Sequence, residues 1–487
     1  VLEDPMVYLI GAGPGRKELL TLRAAELLKE AEVVVYDYLV SDSVLALASR
    51  NAVLYDVGKR PGRPTNQGDI NDLLLGLSQR YSRVVRLKGG DPFIFGRGAE
   101  EAQFLQRHGV KFEIVPGVSS VNGASVFAGL PLTHRGVAQG YTVITGHGRE
   151  GMPLSYDWEA LVRSRLTIVV LMGVAHRLEI AESLCRFGMD PKTPAAVVTR
   201  ATTASQQIIR CALCELPGLE VTSPSAIVIG EVASVDVSWL SSRPLFGLRV
   251  VVTRPSSEED LVAPLEYLGA EVTHLPAIEI GEPSDSGAAL RSALERVQEF
   301  EWLIFTSSNA VRKTFEELGD LRRLGGVKLG AIGSGTRDTL LSYKVGVDFV
   351  PTSYVGESFA EEFPKAQSKS GSVLLPRAKV ARDVVPQGLM DKGWNVSVVE
   401  AYETKSVRYD SDQYLKDYDL VLFASPSAVD AYFQSFGERL NSLSIGAIGP
   451  ITARKASALG LRVDFIGDVY NFEGLIDATV SWWRSRD

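Results

Sequence analysis

The stretch VYLIGAGPGRKELLTLRAAELLKEAEVVVY (7–36) decides the fold class. Val7–Ile10 is an apolar run of strand length, and Gly11–Gly15 is a glycine-rich turn. Leu19–Ala31 then places its apolar residues at helical spacing, and Val33–Tyr36 is a second buried strand. The same alternation runs to about Gly230, which predicts an α/β class. Ser241–Gly247 (SSRPLFG) then interrupts it with Ser, Pro and Gly, and Leu248–Thr253 (LRVVVT) opens a fresh strand. A chain of 487 residues is too long for one ordinary core. The expected division is therefore 1–240, a linker at 241–247, and 248–487.

Composition narrows the class. Apolar residues make up 45% and charged residues 23%, as in a soluble globular enzyme. No apolar run reaches the ~18–20 residues that span a bilayer, and Val1–Pro5 carries no signal-peptide pattern. Three cysteines make no disulfide framework, and Cys211 and Cys214 lack the second pair that a zinc site needs, so ordinary thiols in a reducing cytoplasm are expected. The net charge of −8 argues against a generic binder of nucleic acid or anionic membrane. An anionic ligand would need local basic clusters, and Lys59–Arg60–Arg63 and Arg377–Lys379–Arg382 are the two candidates.

Behind the break lies an internal repeat. EWLIFTSSNAVRKTFE (301–316) matches DLVLFASPSAVDAYFQ (419–434), KLGAIGSGT (328–336) matches SIGAIGPIT (444–452), and RVVVTRP (249–255) corresponds to VLLPRA (373–378). A period this long is a duplicated domain rather than a solenoid. Two such α/β lobes make a cleft, and loops that follow parallel strands face it. Their hydroxyls and helix N-terminal amides suit carboxylates, although capping alone explains each of them singly.

In the first half GAGPG is by itself a weak match to a dinucleotide turn, with Asp37 after the second strand. The run VVRLKGGDPFIFGRGAEE (84–101) is more specific: Gly89 and Gly90 admit close backbone approach, and Asp91 adds a carboxylate at a strand end. With VYDYLV (35–40), GKR (58–60), VPGVSS (115–120), PLTHR (131–135), TGH (145–147), VVLMG (169–173) and TPAAVV (193–198), it resembles the uroporphyrinogen-III C-methyltransferases, members of the tetrapyrrole methylases, over about residues 5–240.

The resemblance implies two α/β lobes, about 5–118 and 119–240, with S-adenosylmethionine folded into the cleft between them. It assigns the methyl-donor pocket to Pro14, Gly89, Gly90, Asp91, Ile94, Ser119, Ser120, Met172 and Ala201. Ser119 and Ser120 stand where the family usually has Thr-Ala, and Ala201 where it usually has Gly. Asp37 falls at the proton-acceptor position and Lys59 at the proton-donor position. Arg60, Arg63, His134 and Arg135 are candidates for the substrate carboxylates. Methyl transfer from a sulfonium needs a carbon nucleophile held in line, so positioning carries much of the expected rate.

In the second half LPRAKVARDVVP (375–386), AYET (401–404) and the paired loops resemble uroporphyrinogen-III synthase over roughly residues 247–487. That family uses no metal or organic cofactor; it folds a linear tetrapyrrole, aids loss of a hydroxyl and protects a cationic intermediate. Tyr402 falls at a position linked to substrate binding or hydroxyl departure. Thr306, Ser307, Ser308, Arg377, Lys379, Arg382, Ser425, Ser427 and Thr452 fall on the matching strand ends and loops. The implied lobes are about 248–281 with 404–487, and about 284–400, joined by two crossings that act as a hinge.

Together these readings predict a bifunctional tetrapyrrole enzyme using S-adenosylmethionine, with no metal and no NAD. Its expected partners are small-molecule tetrapyrroles, and a homodimer through the first half is expected. The alternatives are a methylase acting on another tetrapyrrole, or one half serving as a non-catalytic regulatory module.

Overall fold

A computed structural model describes residues 5–49, 51–58, 66–148, 154–254, 261–353, 356–368, 371–409 and 418–486. Among them the chain forms four five-stranded sheets, two in each half. The first holds β1 (Met6–Gly11), β2 (Val33–Tyr36), β3 (Val53–Asp56), β4 (Arg83–Lys88) and β5 (Lys111–Val115), in the order β3-β2-β4-β1-β5. Every pair is parallel, and Val33–Val35, Val84 and Val85 are fully buried, as expected for strands covered on both faces. Gly11 of β1 lies opposite Lys88 of β4, so the turns after these two central strands leave the sheet side by side.

The second sheet holds β6 (Tyr141–Thr145), β7 (Thr167–Leu171), β8 (Pro194–Thr199), β9 (Gln207–Ala212) and β10 (Ser225–Ile229), ordered β6-β7-β10-β8-β9. Only β6 and β7 pair in parallel; the other neighbours are antiparallel. Cys211 ends up on β9 and Cys214 in the turn behind it, both as free thiols.

In the second half, β11 (Arg249–Val252), β12 (Glu271–His274) and β13 (Ile278–Gly281) come first. They are followed by β14 (Trp302–Phe305), β15 (Lys328–Ala331), β16 (Ser372–Ala378), β17 (Asn395–Ser406), β18 (Leu420–Phe423), β19 (Ser444–Ala447) and β20 (Phe465–Ile466). The third sheet runs β12-β11-β18-β19-β20, all parallel. The fourth runs β13-β17-β16-β14-β15, with β13 antiparallel on its edge. The third sheet therefore combines two separated stretches of chain, the fourth is built from the stretch between them, and two crossings join the lobes.

One crossing lies elsewhere than expected. The 278–281 segment, read from sequence as part of the lobe with 248–277, pairs with Glu403–Ser406 in the other sheet. The cause is the 12-residue length of β17, whose far end outruns β16 and offers a free edge to β13. The chain thus changes lobe at Leu275–Ala277 and again at Val407–Tyr409. Tyr432 and Tyr409 pin this point through hydroxyls that donate to the Leu275 and Pro276 carbonyls at 2.5 and 2.8 Å.

The 241–247 junction is packed rather than loose. Leu245 is fully buried with Leu248, Val250 and Leu265, and its amide donates to the Leu268 carbonyl. Serine caps start the helices behind the strands: Ser119 caps Ser120–Phe127, Ser307 caps Ser308–Leu318, and Ser425 caps Pro426–Phe436. No described helix is long and apolar enough to cross a membrane.

Candidate functional site

Four glycine backbones, Gly11, Gly13, Gly90 and Gly117, meet at the C-terminal ends of β1, β4 and β5. Gly13 and Gly90 exchange backbone hydrogen bonds at 3.1 and 2.8 Å. A Cβ built on Gly117 would stand 2.3 Å from the Gly90 carbonyl oxygen, and one on Gly11 would stand 2.6 Å from Gly117. No side chain fits at either place, so bare backbone lines this cradle. Gly90 also has φ +69°, a left-handed conformation that favours glycine. Asp91 is committed to the loop itself: one carboxylate oxygen accepts from the Phe93 amide at 2.8 Å and the other from the Gly117 amide at 3.0 Å.

Around the cradle, Pro14 packs on Gly123, and the Thr202 hydroxyl donates to the Pro14 carbonyl at 3.1 Å, which brings Ala201 beside Gly15. Ser120 begins its helix next to Gly90, and Ser119 accepts from the Val121 amide. Gly89 lies against Leu39. Ile94 is exposed with Phe93 and Phe95, an apolar rim over the turn. Met172, also exposed, follows β7 with φ +56°. The structure thus gathers Pro14, Gly90, Asp91, Ser120 and Ala201 from distant sequence.

Asp37 leaves the end of β2, and its carboxylate pairs with Arg86 at 2.5 Å. Arg86 is almost wholly buried and also donates to Glu101 Oε1 at 3.2 Å; Lys88 reaches the same oxygen at 2.8 Å. Gln67 donates to it as well, whereas Glu101 Oε2 has no hydrogen-bond partner among the described residues. Burial first, then the Arg86 charge, pushes the Lys88 ammonium down from its ordinary value. This buried network was missed from sequence. The available signal was two cations at alternate positions in an apolar central strand.

Lys59, Arg60 and Arg63 lie outside the described residues. His134 and Arg135 are exposed on a short turn, where His134 Nδ1 approaches the Arg135 carbonyl at 3.0 Å.

In the second half the Tyr402 hydroxyl lies 3.0 Å from Ser307 Oγ, which also caps the following helix through the Ala310 amide. Tyr402 is only 6% exposed. Thr306 stands at the end of β14, and Ser308 Oγ donates to the Gly335 carbonyl at 3.1 Å. In the second copy Ser425 and Ser427 hydroxyls lie 3.0 Å apart and are exposed. Thr452 differs from its expected place on an open loop: it is 3% exposed, because Pro450 starts the helix and turns Thr452 to the side of Ala453 and Ala456. Its counterpart Thr336 is buried in the same way.

The expected basic cluster is paired internally. Arg377 binds Asp383 at 2.7 Å, Lys379 binds Glu403 at 3.1 Å and Arg382 binds Glu357 at 2.9 Å. The hydrogen bond that Lys379 donates to Glu403 raises its ammonium above its ordinary value. A register shift between β16 and β17 at Arg377/Ala378 turns this loop out of the sheet. No described group of three or more His, Cys, Asp or Glu side chains could hold a metal ion.

Comparison with known proteins matches both halves. A profile of the tetrapyrrole (corrin/porphyrin) methylases matches residues 6–217, and one of uroporphyrinogen-III synthase HemD matches residues 259–477. The porphyrin biosynthesis protein HemD of Ruminiclostridium josui is 35% identical over 98% of this chain and 98% of its own. The chain belongs to this family of fused tetrapyrrole methylases and uroporphyrinogen-III synthases. The methylase half is also 47% identical to the siroheme synthase of Chromobacterium violaceum; that match takes in 48% of this chain and 51% of the relative, about half of each. The solved uroporphyrin-III C-methyl transferase of Thermus thermophilus, complexed with S-adenyl homocysteine, is 48% identical over 47% of this chain and 98% of that one, with TM-score 0.42. The glycine cradle therefore belongs to the methylase half, and the paired serine loops and Tyr402 to the synthase half.

Proposed function

We propose that the synthase half closes hydroxymethylbilane to uroporphyrinogen III with inversion of ring D, losing one water. The methylase half then methylates that product twice with S-adenosylmethionine, giving precorrin-2 for the siroheme or cobalamin branch. The observation that carries this reading is a family relative matching both halves end to end. S-adenosylmethionine supplies an electrophilic methyl group, and the glycine cradle is where it fits, since only bare backbone can be approached so closely.

In this reading Asp37 takes the proton that the pyrrole nitrogen loses as its ring carbon attacks the methyl group. Arg86 holds one Asp37 oxygen, which orients the carboxylate and leaves the other for the substrate. Lys59 returns a proton. Pro14, Gly89, Gly90, Asp91, Ile94, Ser119, Ser120, Met172 and Ala201 shape the methyl-donor pocket. Arg60, Arg63, His134 and Arg135 meet substrate carboxylates.

In the synthase half the Tyr402–Ser307 pair can donate a hydrogen bond to the departing hydroxyl. Substrate carboxylates displace Asp383, Glu403 and Glu357 from Arg377, Lys379 and Arg382, so these cations are held ready without being left unpaired. The hydroxyls of Thr306, Ser308, Ser425 and Ser427 complete that cleft. A homodimer through the methylase half is part of the proposal. The test of the base is Asp37→Asn, assayed with uroporphyrinogen III and radiolabelled methyl donor. A loss of turnover of about 10²–10⁴-fold is expected, and near-normal turnover would sink the role.

A further inference from the structure

Two loops that build the methylase cradle run on into contact with the synthase half. After Pro14 and Gly15 the chain enters Arg16–Leu19, where Lys17 Nζ lies 3.3 Å from Glu266 Oε1, with side chains only 14% and 15% exposed. The Glu18 carboxyl hydrogen-bonds Glu266 as well. Across the cradle, the loop after β8 is tied to the same turn: Arg16 Nε donates to the Thr202 carbonyl at 2.7 Å, and the Thr202 hydroxyl donates to Pro14. Two residues further on, the Ala204 amide donates to Glu271 Oε2 at 2.7 Å. Glu266 and Glu271 both belong to the synthase half.

The tied loop is strained. Arg200 has φ +46° and Thr202 φ +73°, and a β-branched residue in the left-handed region persists only where its surroundings hold it. Gln206 supplies part of that hold, accepting from the Thr202 amide at 2.8 Å and donating to the Phe127 carbonyl at 2.9 Å. Arg16 and Pro14 supply more, and Glu271 adds a hold from outside the methylase. A backbone N–H bonded to a carboxylate is a charge-assisted contact, stronger than a neutral one. Glu271 also begins β12, opposite Arg249 at the start of β11. The contact thus uses the edge of the synthase sheet away from the strand ends that carry the serine loop of β18.

We propose that the synthase half braces the methyl-donor pocket. Glu271, seconded by Glu266, holds the Arg200–Gln206 loop and the Gly13–Gly15 turn in the shape that binds the methyl donor. Both are positioning residues that touch neither methyl donor nor tetrapyrrole. The inference rests on the pocket assigned above.

The test is calorimetric titration of S-adenosylhomocysteine into the purified full chain and its variants, with synthase turnover of hydroxymethylbilane measured on each. Glu271→Ala is expected to weaken S-adenosylhomocysteine binding about tenfold and to raise the methyl-donor KM more than it lowers kcat, with synthase turnover unchanged. Glu271→Gln keeps an accepting oxygen and is expected to bind within about twofold of the parent. Gly90→Val, which puts a branched side chain into the cradle itself, is expected to abolish binding. Unchanged affinity in Glu271→Ala, beside lost affinity in Gly90→Val, overturns the brace alone. Normal affinity in Gly90→Val overturns the pocket assignment and the brace with it. Parallel loss of synthase turnover in Glu271→Ala shows general unfolding in place of a specific role, and also overturns it.

Discussion

Arg86 and Lys88 stand two apart on β4, and in a strand buried on both faces that spacing puts two cations on one side. Glu101, from the helix Gly98–Arg107, answers both with a single oxygen, while Asp37 takes the other end of Arg86. Removing the central anion leaves two buried cations under-compensated. Glu101→Gln is therefore expected to cost about 3–5 kcal/mol, read by denaturant unfolding, and to lower methylation by disordering Asp37. A loss under about 1 kcal/mol would contradict the network. Asp37 itself was legible as a residue, since it ends a strand in a recognisable motif. Its partner was not, because a cation in a strand signals burial with a counter-charge without saying where in the chain that charge lies.

At the scale of elements, strands were the most legible features, since an apolar run is local; the first helix starts at Leu22, behind the Thr21 cap, and not at Leu19 as its spacing suggested. The paired motifs at 301–316 and 419–434 form equivalent strand–serine–helix units, each opened by a capping hydroxyl. Ser425→Ala should therefore lower stability by about 1 kcal/mol through loss of the Ala428 amide bond. If the same hydroxyl meets substrate, KM for hydroxymethylbilane rises severalfold in a steady-state assay, and an unchanged KM would leave Ser425 a cap alone. The edge strand Ile278–Gly281 was not legible in its pairing, because an edge position depends on how far β17 extends past its neighbour. The basic run Arg377–Lys379–Arg382 was legible as charge, whereas its acidic partners come from three separate segments.

At the scale of the molecule, the break at 241–247 was legible as an interruption of the α/β pattern, and what packs across it was not. Arg243 sits between the Trp239 and Tyr267 rings, 4.8 and 5.3 Å from their centroids, so the junction is fixed at both ends. Beside it, burial first and then the Glu18 charge raise Glu266 from its ordinary 4.5 to about 8. Glu266 therefore keeps its proton above the ordinary carboxylate range. The folded state retains that proton between those values while the unfolded chain releases it, so Glu266 makes stability fall as pH rises from about 4.5 to about 8. Glu266→Gln is expected to flatten that slope in unfolding curves across the window, and a slope as steep as the parent's would contradict the pairing. The central claim, that one chain performs both closure and methylation, is tested most directly by supplying hydroxymethylbilane and S-adenosylmethionine to the purified protein and resolving the products by mass spectrometry and isomer analysis. A doubly methylated product of the type III series is predicted; unmethylated type I macrocycle alone, the outcome of spontaneous closure, would contradict it.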